Sequence, residues 1–129
     1  MAVISPTFAK VHGPSGGVDA TIITWANIGD ADTCLGVKRP ELVDRSIQAF
    51  GTFGGATINC QGSNDSVDGT NSSGHWDNLT NPAGTVIALA AEGIQQVLEA
   101  SVWIRPKTGG GSGSSVTVAI CARRSMRGG

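Results

Sequence analysis

The chain has 129 residues and a mass of 13.1 kDa, enough for one hydrophobic core and too little for a two-domain enzyme. Nine basic and ten acidic residues give a formal charge of −1, so there is no excess of cations for the phosphate contacts that dominate nucleic-acid binding. We therefore expect no nucleic-acid partner. No apolar run approaches the length of about 18 residues that marks a membrane span, and no signal-peptide pattern opens the chain. We expect a protein without a membrane partner that stays in the cytoplasm where it is made.

Short apolar segments alternate with clusters of Gly, Asn, Asp and Ser, a pattern typical of all-β proteins. Residues 1–17 form either an N-terminal arm or the first strand of the domain, and both alternatives stay open. If they form an arm, it would add a strand to the sheet edge of a partner. Its apolar contact residues would then be Val3, Ile4, Phe8 and Val11.

The next segments predict strands joined by turns. Residues 21–26 are rich in β-branched side chains and predict a strand. Residues 46–53 and 57–62 alternate apolar and polar side chains on either side of Gly54-Gly55. Because tight hairpin turns need residues with positive φ, this pair of segments predicts a β-hairpin. A long surface loop follows at 62–74, then strands at 75–79 and 85–90.

The last third of the chain predicts one ambiguous segment and two strands. Residues 91–100 place Ile94, Val97 and Leu98 on one face of a helix, so we predict a short helix or a turn there. A strand at 101–105 should stop at Pro106, and the glycine-rich loop at 107–115 should be a flexible hairpin tip before a final strand at 115–124. Arg45 and Arg105 are expected to be solvated charges at strand ends.

Together these elements predict an all-β fold. The expected architecture is a single-domain antiparallel β-sandwich over residues 18–124, jelly-roll-like, with about seven or eight strands and at most one short helix. A small closed barrel is the alternative. Residues 125–129 should form a flexible C-terminal tail.

The candidates for chemistry lack the patterns that catalysis or metal binding needs. His12 and His75 have no recognisable catalytic partner, and three cysteines without CxxC spacing argue against a zinc site or a disulfide framework. Residues 64–71 are rich in oxygen ligands but lack the bidentate Glu of a calcium loop, and residues 109–113 lack the Lys-Ser/Thr of a phosphate loop. We predict no enzyme activity, no metal and no cofactor.

Four further residues are candidates for partner binding. Trp76, beside the long loop, is the tryptophan most readily assigned to an interface, where Trp is enriched. Three arginines make the C-terminal end basic and suited to an acidic partner surface. They are Arg123, Arg124 and Arg127.

Three groups of motifs carry a resemblance to a known class of proteins. They read Gly51-Thr52-Phe53-Gly54-Gly55-Ala56-Thr57, then Gln61-Gly62-Ser63-Asn64-Asp65 with Gly74-His75-Trp76, and Arg105-Pro106 with Val116-Thr117-Val118 and Arg123-Arg124. Over residues 45–124 the chain resembles small structural proteins of tailed bacteriophages, in particular capsid cement or decoration proteins. It departs from their pattern by inserting residues around 66–68 and 72–74.

The resemblance implies a virion protein on the capsid surface, assembled in the cytoplasm of a bacterial host. It would reinforce contacts between major capsid proteins and form a homo-oligomer, with a trimer favoured. Two alternatives stay open. One is another virion component, such as a tail-tube, head-completion or fibre-base protein. The other is a carbohydrate-binding β-sandwich in which Trp76 stacks on a sugar ring.

Overall fold

In the computed structural model, which describes residues 2–14 and 16–124, every regular element is a β-strand. Seven strands have five residues or more, and the other five have two residues each. Among the described residues, none forms a helix of the length and apolarity needed to cross a membrane. In chain order the strands are β1 (Val3–Ile4), β2 (Thr7–His12), β3 (Val18–Ile28), β4 (Thr33–Cys34), β5 (Val37–Lys38), β6 (Asp44–Thr52), β7 (Ala56–Ser63), β8 (Asp77–Asn78), β9 (Ala88–Leu89), β10 (Gly93–Val97), β11 (Trp103–Gly110) and β12 (Ser115–Arg123).

The long strands form two antiparallel sheets. The front sheet has the order β10-β6-β12-β3-β2, and the back sheet has the order β5-β11-β7-β8, with β9 also paired to β7. Alternate residues of both sheets are buried in one core, as the period of two in the sequence predicts. The β-sandwich is confirmed in preference to the closed barrel. Its core includes Ile23, Trp25, Ile47 and Ile120 from the front sheet and Ile58, Cys60 and Ile104 from the back sheet.

The predicted hairpin at Gly54-Gly55 is wrong. Strand β6 pairs with β10 and β12 in the front sheet, whereas β7 pairs with β8, β9 and β11 in the back sheet. The two glycines do have positive φ, 56° and 86°, but their turn carries the chain from one sheet to the other. The alternation of side chains is the same whether β6 and β7 form a hairpin or lie in different sheets, because each strand buries one face in the same core.

The second glycine-rich connection also crosses between the sheets, so the hairpin tip predicted there is wrong. Strand β11 does not stop at Pro106 but continues to Gly110, and residues 111–114 lead to β12 in the front sheet. Strand β5 pairs only with Trp103 and Ile104, the first two residues of β11. Beyond them this side of β11 is a sheet edge, where the missing N–H of Pro106 is tolerated. The backbone N–H of Gly113 donates to Asp30 at 2.7 Å and ties this connection down.

The segment predicted as a short helix or turn contains strand β10. Gly93–Val97 pairs with β6 at one edge of the front sheet. Val97 is buried, but Ile94 is 62% exposed and Leu98 is 55% exposed. The three apolar residues that fit a helical face therefore do not share a buried surface.

Candidate partner-binding groove

A groove of about 500 Å³ opens at the β2 edge of the front sheet. In the pairing of β2 with β3, Phe8 lies opposite Ile23 and Lys10 lies opposite Thr21. Residues opposite each other in an antiparallel pair project to the same side of the sheet, and Ile23 is fully buried in the core. Phe8 and Lys10 therefore project to the core side of the front sheet. Phe8 nevertheless remains 49% exposed, so the sandwich is open along this edge.

Cationic side chains outnumber carboxylates in the groove by four to two. The Arg39 guanidinium lies 5.2 Å from the centroid of the Phe8 ring, within reach of a cation–π interaction. An excess of positive charge beside a half-exposed aromatic ring suits a partner that offers carboxylates next to apolar side chains. The charged lining residues are Lys10, Arg39, Arg123, Arg124, Asp19 and Glu41.

Arg45 supports the wall of the groove formed by residues 39–42. Its side chain is buried, and its Nε donates to the carbonyl oxygen of Leu42 at 2.7 Å. Its Nη2 donates to the carbonyl oxygens of Arg39 and Ser101, both at 2.8 Å. Burial lowers the pKa of Arg45, and the carbonyl acceptors replace part of the water that the guanidinium loses. Arg45 thereby fixes the backbone that carries Arg39 into the groove.

Strand β2 offers a second means of contact beside the groove. All six of its residues are exposed, and within the described chain it pairs with β3 only. Val11 is 45% exposed and projects to the outer side of the sheet, opposite to Phe8. A free edge of this length can accept the backbone hydrogen bonds of an added strand.

The structure brings three of the predicted partner-binding residues together. Phe8, Arg123 and Arg124 line the groove. Lys10 and Arg39 were not among the predicted residues, because only the folded chain brings them to Phe8. The only local signal for this site is the alternation along β2, which places Lys10 on the same side of the strand as Phe8.

The other candidates lie elsewhere. Strand β1 pairs in parallel with β4, Val3 is 65% exposed, and Ile4 packs against the core. Neither lines the groove. Arg127 and the tail at 125–129 lie outside the described residues.

Trp76 packs against its own chain on the outer face of the back sheet. Its ring lies 4.1 Å from the Arg105 guanidinium, and its indole N–H donates to the carbonyl oxygen of Ser73 at 3.0 Å. The end of the ring occupies the space where a side chain on Gly36 would clash. Trp76 therefore holds the loop at residues 64–76 against the sheet.

Arg105, beneath Trp76, is buried like Arg45, so the expectation that both are solvated is wrong. Its Nε and Nη2 both donate to Oε1 of Gln61, at 3.1 and 2.8 Å, while its Nη1 has no hydrogen-bond partner among residues 2–14 and 16–124. Burial lowers the pKa of Arg105. One face of Trp76 is thus occupied by a buried cation.

Asp65 closes the same loop through His75. The backbone N–H of His75 donates to Asp65 Oδ1 at 2.8 Å, and His75 Nδ1 lies 2.6 Å from Asp65 Oδ2. The hydrogen bond from the His75 backbone is the main cause that lowers the pKa of Asp65 to about 2. The side-chain hydrogen bond to Asp65 raises the pKa of His75 above 6.5.

We expect the substitution Asp65→Asn to lower the midpoint of the His75 titration, measured from its ring proton shifts by NMR. A raised His pKa means that the protonated ring stabilises the closed loop at pH values below 6.5, and that this contribution is lost as the pH rises through the raised pKa. At the acidic end the contribution of Asp65 is lost as the pH falls below 3.8 towards 2. Asp68→Asn is the control, since Asp68 bonds Thr70 instead. An unchanged midpoint in Asp65→Asn would contradict the assignment.

The residues considered for catalysis or metal binding are dispersed. His12 is exposed on β2, while Cys34 and Cys60 are buried, and burial raises the pKa of each thiol to about 12. Cys121 is half-buried on the outer side of the front sheet. Within residues 2–14 and 16–124, no three His, Cys, Asp or Glu side chains converge as metal ligands.

No protein-family model, no curated protein and no solved structure matches the chain significantly.

Proposed function

We propose that this chain is a structural protein of a tailed-phage virion, one that binds the outside of the capsid and reinforces contacts between major capsid proteins. The observation that carries the proposal is the groove beside the free edge of β2, which combines Phe8 with an excess of cations. The motifs within residues 45–124, which resemble those of capsid decoration proteins, support the same assignment.

The groove and the strand edge supply complementary parts of such a contact. Arg39, Arg123 and Arg124 would orient an acidic segment of the capsid protein, and Phe8 would bury apolar surface against it. The edge of β2 would add backbone hydrogen bonds. Individual exposed ion pairs contribute little, so useful affinity requires several contacts held together by a homo-oligomer on a repeating lattice.

The test is co-sedimentation with empty shells of the virus whose genome carries this chain, purified without it. The double variant Lys10→Glu with Arg124→Glu reverses two charges in the groove. We expect it to bind at least about tenfold more weakly than the native chain, because two attractive contacts become repulsive. The affinity of the native chain should also fall as salt is added.

The matched control is Lys38→Glu with Lys107→Glu, which makes the same change in net charge outside the groove. It should bind like the native chain. Native protein that stays in the supernatant at micromolar concentration would overturn the proposal, and so would equal binding by the two double variants. Electron micrographs that show labelled protein only on the tail would instead support another virion component.

A further inference from the structure

The rows of side chains across the front sheet give the groove two positions along β2. In the register of β2 with β3, Phe8 lies opposite Ile23 and Lys10 lies opposite Thr21. The Lys10 row continues across β3 to Ala122 of β12. Residues in one row project to the same side of a sheet, and both rows face the core side. Phe8 and Lys10 therefore mark two inward positions, separated by one outward residue.

These two positions differ in their chemistry. At the first, the ring of Phe8 is half-exposed and the Arg39 guanidinium lies 5.2 Å from its centroid. At the second, Lys10 stands in the row that leads to the end of β12, where Arg123 and Arg124 line the groove. The Phe8 position thus offers apolar surface, and the Lys10 position offers most of the positive charge.

A strand added to the free edge of β2 would place alternate side chains in the groove. All six residues of β2 are exposed, and within the described chain it pairs with β3 only. Because side chains alternate between the two sides of a sheet, residues i and i+2 of the added strand would lie opposite Phe8 and Lys10. The residue between them would point away from the groove. Two residues adjacent in sequence could not occupy both positions.

The direction of the added strand follows from the sheet that it would extend. The pairings of the five described strands of the front sheet are all antiparallel, and antiparallel pairs are slightly more stable per residue than parallel ones. Since β2 runs from Phe8 to Lys10, an antiparallel strand passes Lys10 first and Phe8 second. Its first inward residue therefore meets the cations, and its second meets the aromatic ring.

We propose that the groove and the edge of β2 together bind an extended segment of the capsid protein in which an acidic residue stands two positions before a large apolar residue. The acidic residue pairs with Lys10 and the arginines at the end of β12, and the apolar residue packs on Phe8. Asp19 and Glu41 also line the groove, which disfavours carboxylates at both inward positions. The identity of the partner rests on the proposed function, whereas the spacing rests on the register of β2.

Three short peptides with blocked ends test the spacing without capsid shells. Ser-Thr-Glu-Thr-Phe-Thr-Ser has the proposed order, Ser-Thr-Thr-Glu-Phe-Thr-Ser makes the two key residues adjacent, and Ser-Thr-Phe-Thr-Glu-Thr-Ser reverses them. Titration into isotope-labelled protein, followed by NMR, gives each Kd, and the shifted amides of β2 locate the complex. We expect the first peptide to bind at least about tenfold more tightly than the others, because only it fills both inward positions in the antiparallel direction. Equal affinity for the first two peptides, or tighter binding of the third, would overturn the proposal.

Lys10→Glu tests the acidic position of the segment. This variant should bind the first peptide at least about tenfold more weakly than the native chain, and it should prefer a version of that peptide with lysine in place of glutamate. Lys38→Glu, outside the groove, makes the same change in charge and should bind the first peptide like the native chain. Native affinity of Lys10→Glu for the first peptide would contradict the proposed pairing.

The peptide and shell experiments distinguish this inference from the proposed function. Shell binding without a preference among the peptides would overturn the inferred spacing and leave the capsid assignment in place. A preference for the first peptide without any shell binding would support the spacing and overturn the capsid assignment.

Discussion

Replacing Arg45 by Met is expected to lower the free energy of unfolding by about 3 kcal/mol, because three carbonyl oxygens lose their charged donor. These acceptors belong to Arg39, Leu42 and Ser101. Methionine fills much of the same volume, so the loss measures hydrogen bonds more than a cavity. Removing a buried guanidinium also removes its desolvation cost, but breaking such a network from one side leaves the unpaired acceptors as the larger effect.

Urea denaturation followed by circular dichroism measures this change, and a thermal scan should show a melting temperature lower by roughly 10 °C. The control is Arg39→Met, which removes the contact with Phe8 and should cost about 1 kcal/mol or less. Because Arg45 holds the wall of the groove, Arg45→Met should also weaken shell binding. Equal stability of the two variants would show that the Arg45 hydrogen bonds do not support the fold.

Replacing Trp76 by Ala is expected to cost about 2 to 3 kcal/mol, less than for a fully buried tryptophan because the ring is half-exposed. The substitution removes the ring from Arg105 and from the space beside Gly36. The loop at residues 64–76 should then open more often, with faster hydrogen exchange at the amides of Gly69 and His75.

Val67→Ala is the matched control within the same loop. Val67 is 86% exposed, so its truncation should change the free energy of unfolding by no more than about 0.5 kcal/mol. If Trp76→Ala kept full stability and slow exchange but lost binding to shells, the ring would act at an interface and not as a clamp on the loop.

The sequence by itself determined the fold class and much of the core. Alternation with a period of two places Ile47, Ile58 and Ile120 inside, and β-branched residues lead into the buried Trp25. The positive φ of Gly54 and Gly55 was also predictable, because glycine alone adopts it without steric cost. These features depend on local backbone geometry and on which side of each strand is apolar.

Only the tertiary structure decided which strands are neighbours. A strand that enters the opposite sheet after a turn buries the same residues as one that forms a hairpin, so alternation cannot tell that β6 and β7 separate. The burial of Arg45 and Arg105 also depends on the tertiary structure. Arg45 is held by the neighbouring 39–42 segment and by Ser101, which is distant in sequence, and Arg105 is covered by the ring of Trp76. The groove also depends on the tertiary structure. Its walls come from β2, the 39–42 segment and the end of β12, which are distant in sequence and meet only in the folded chain.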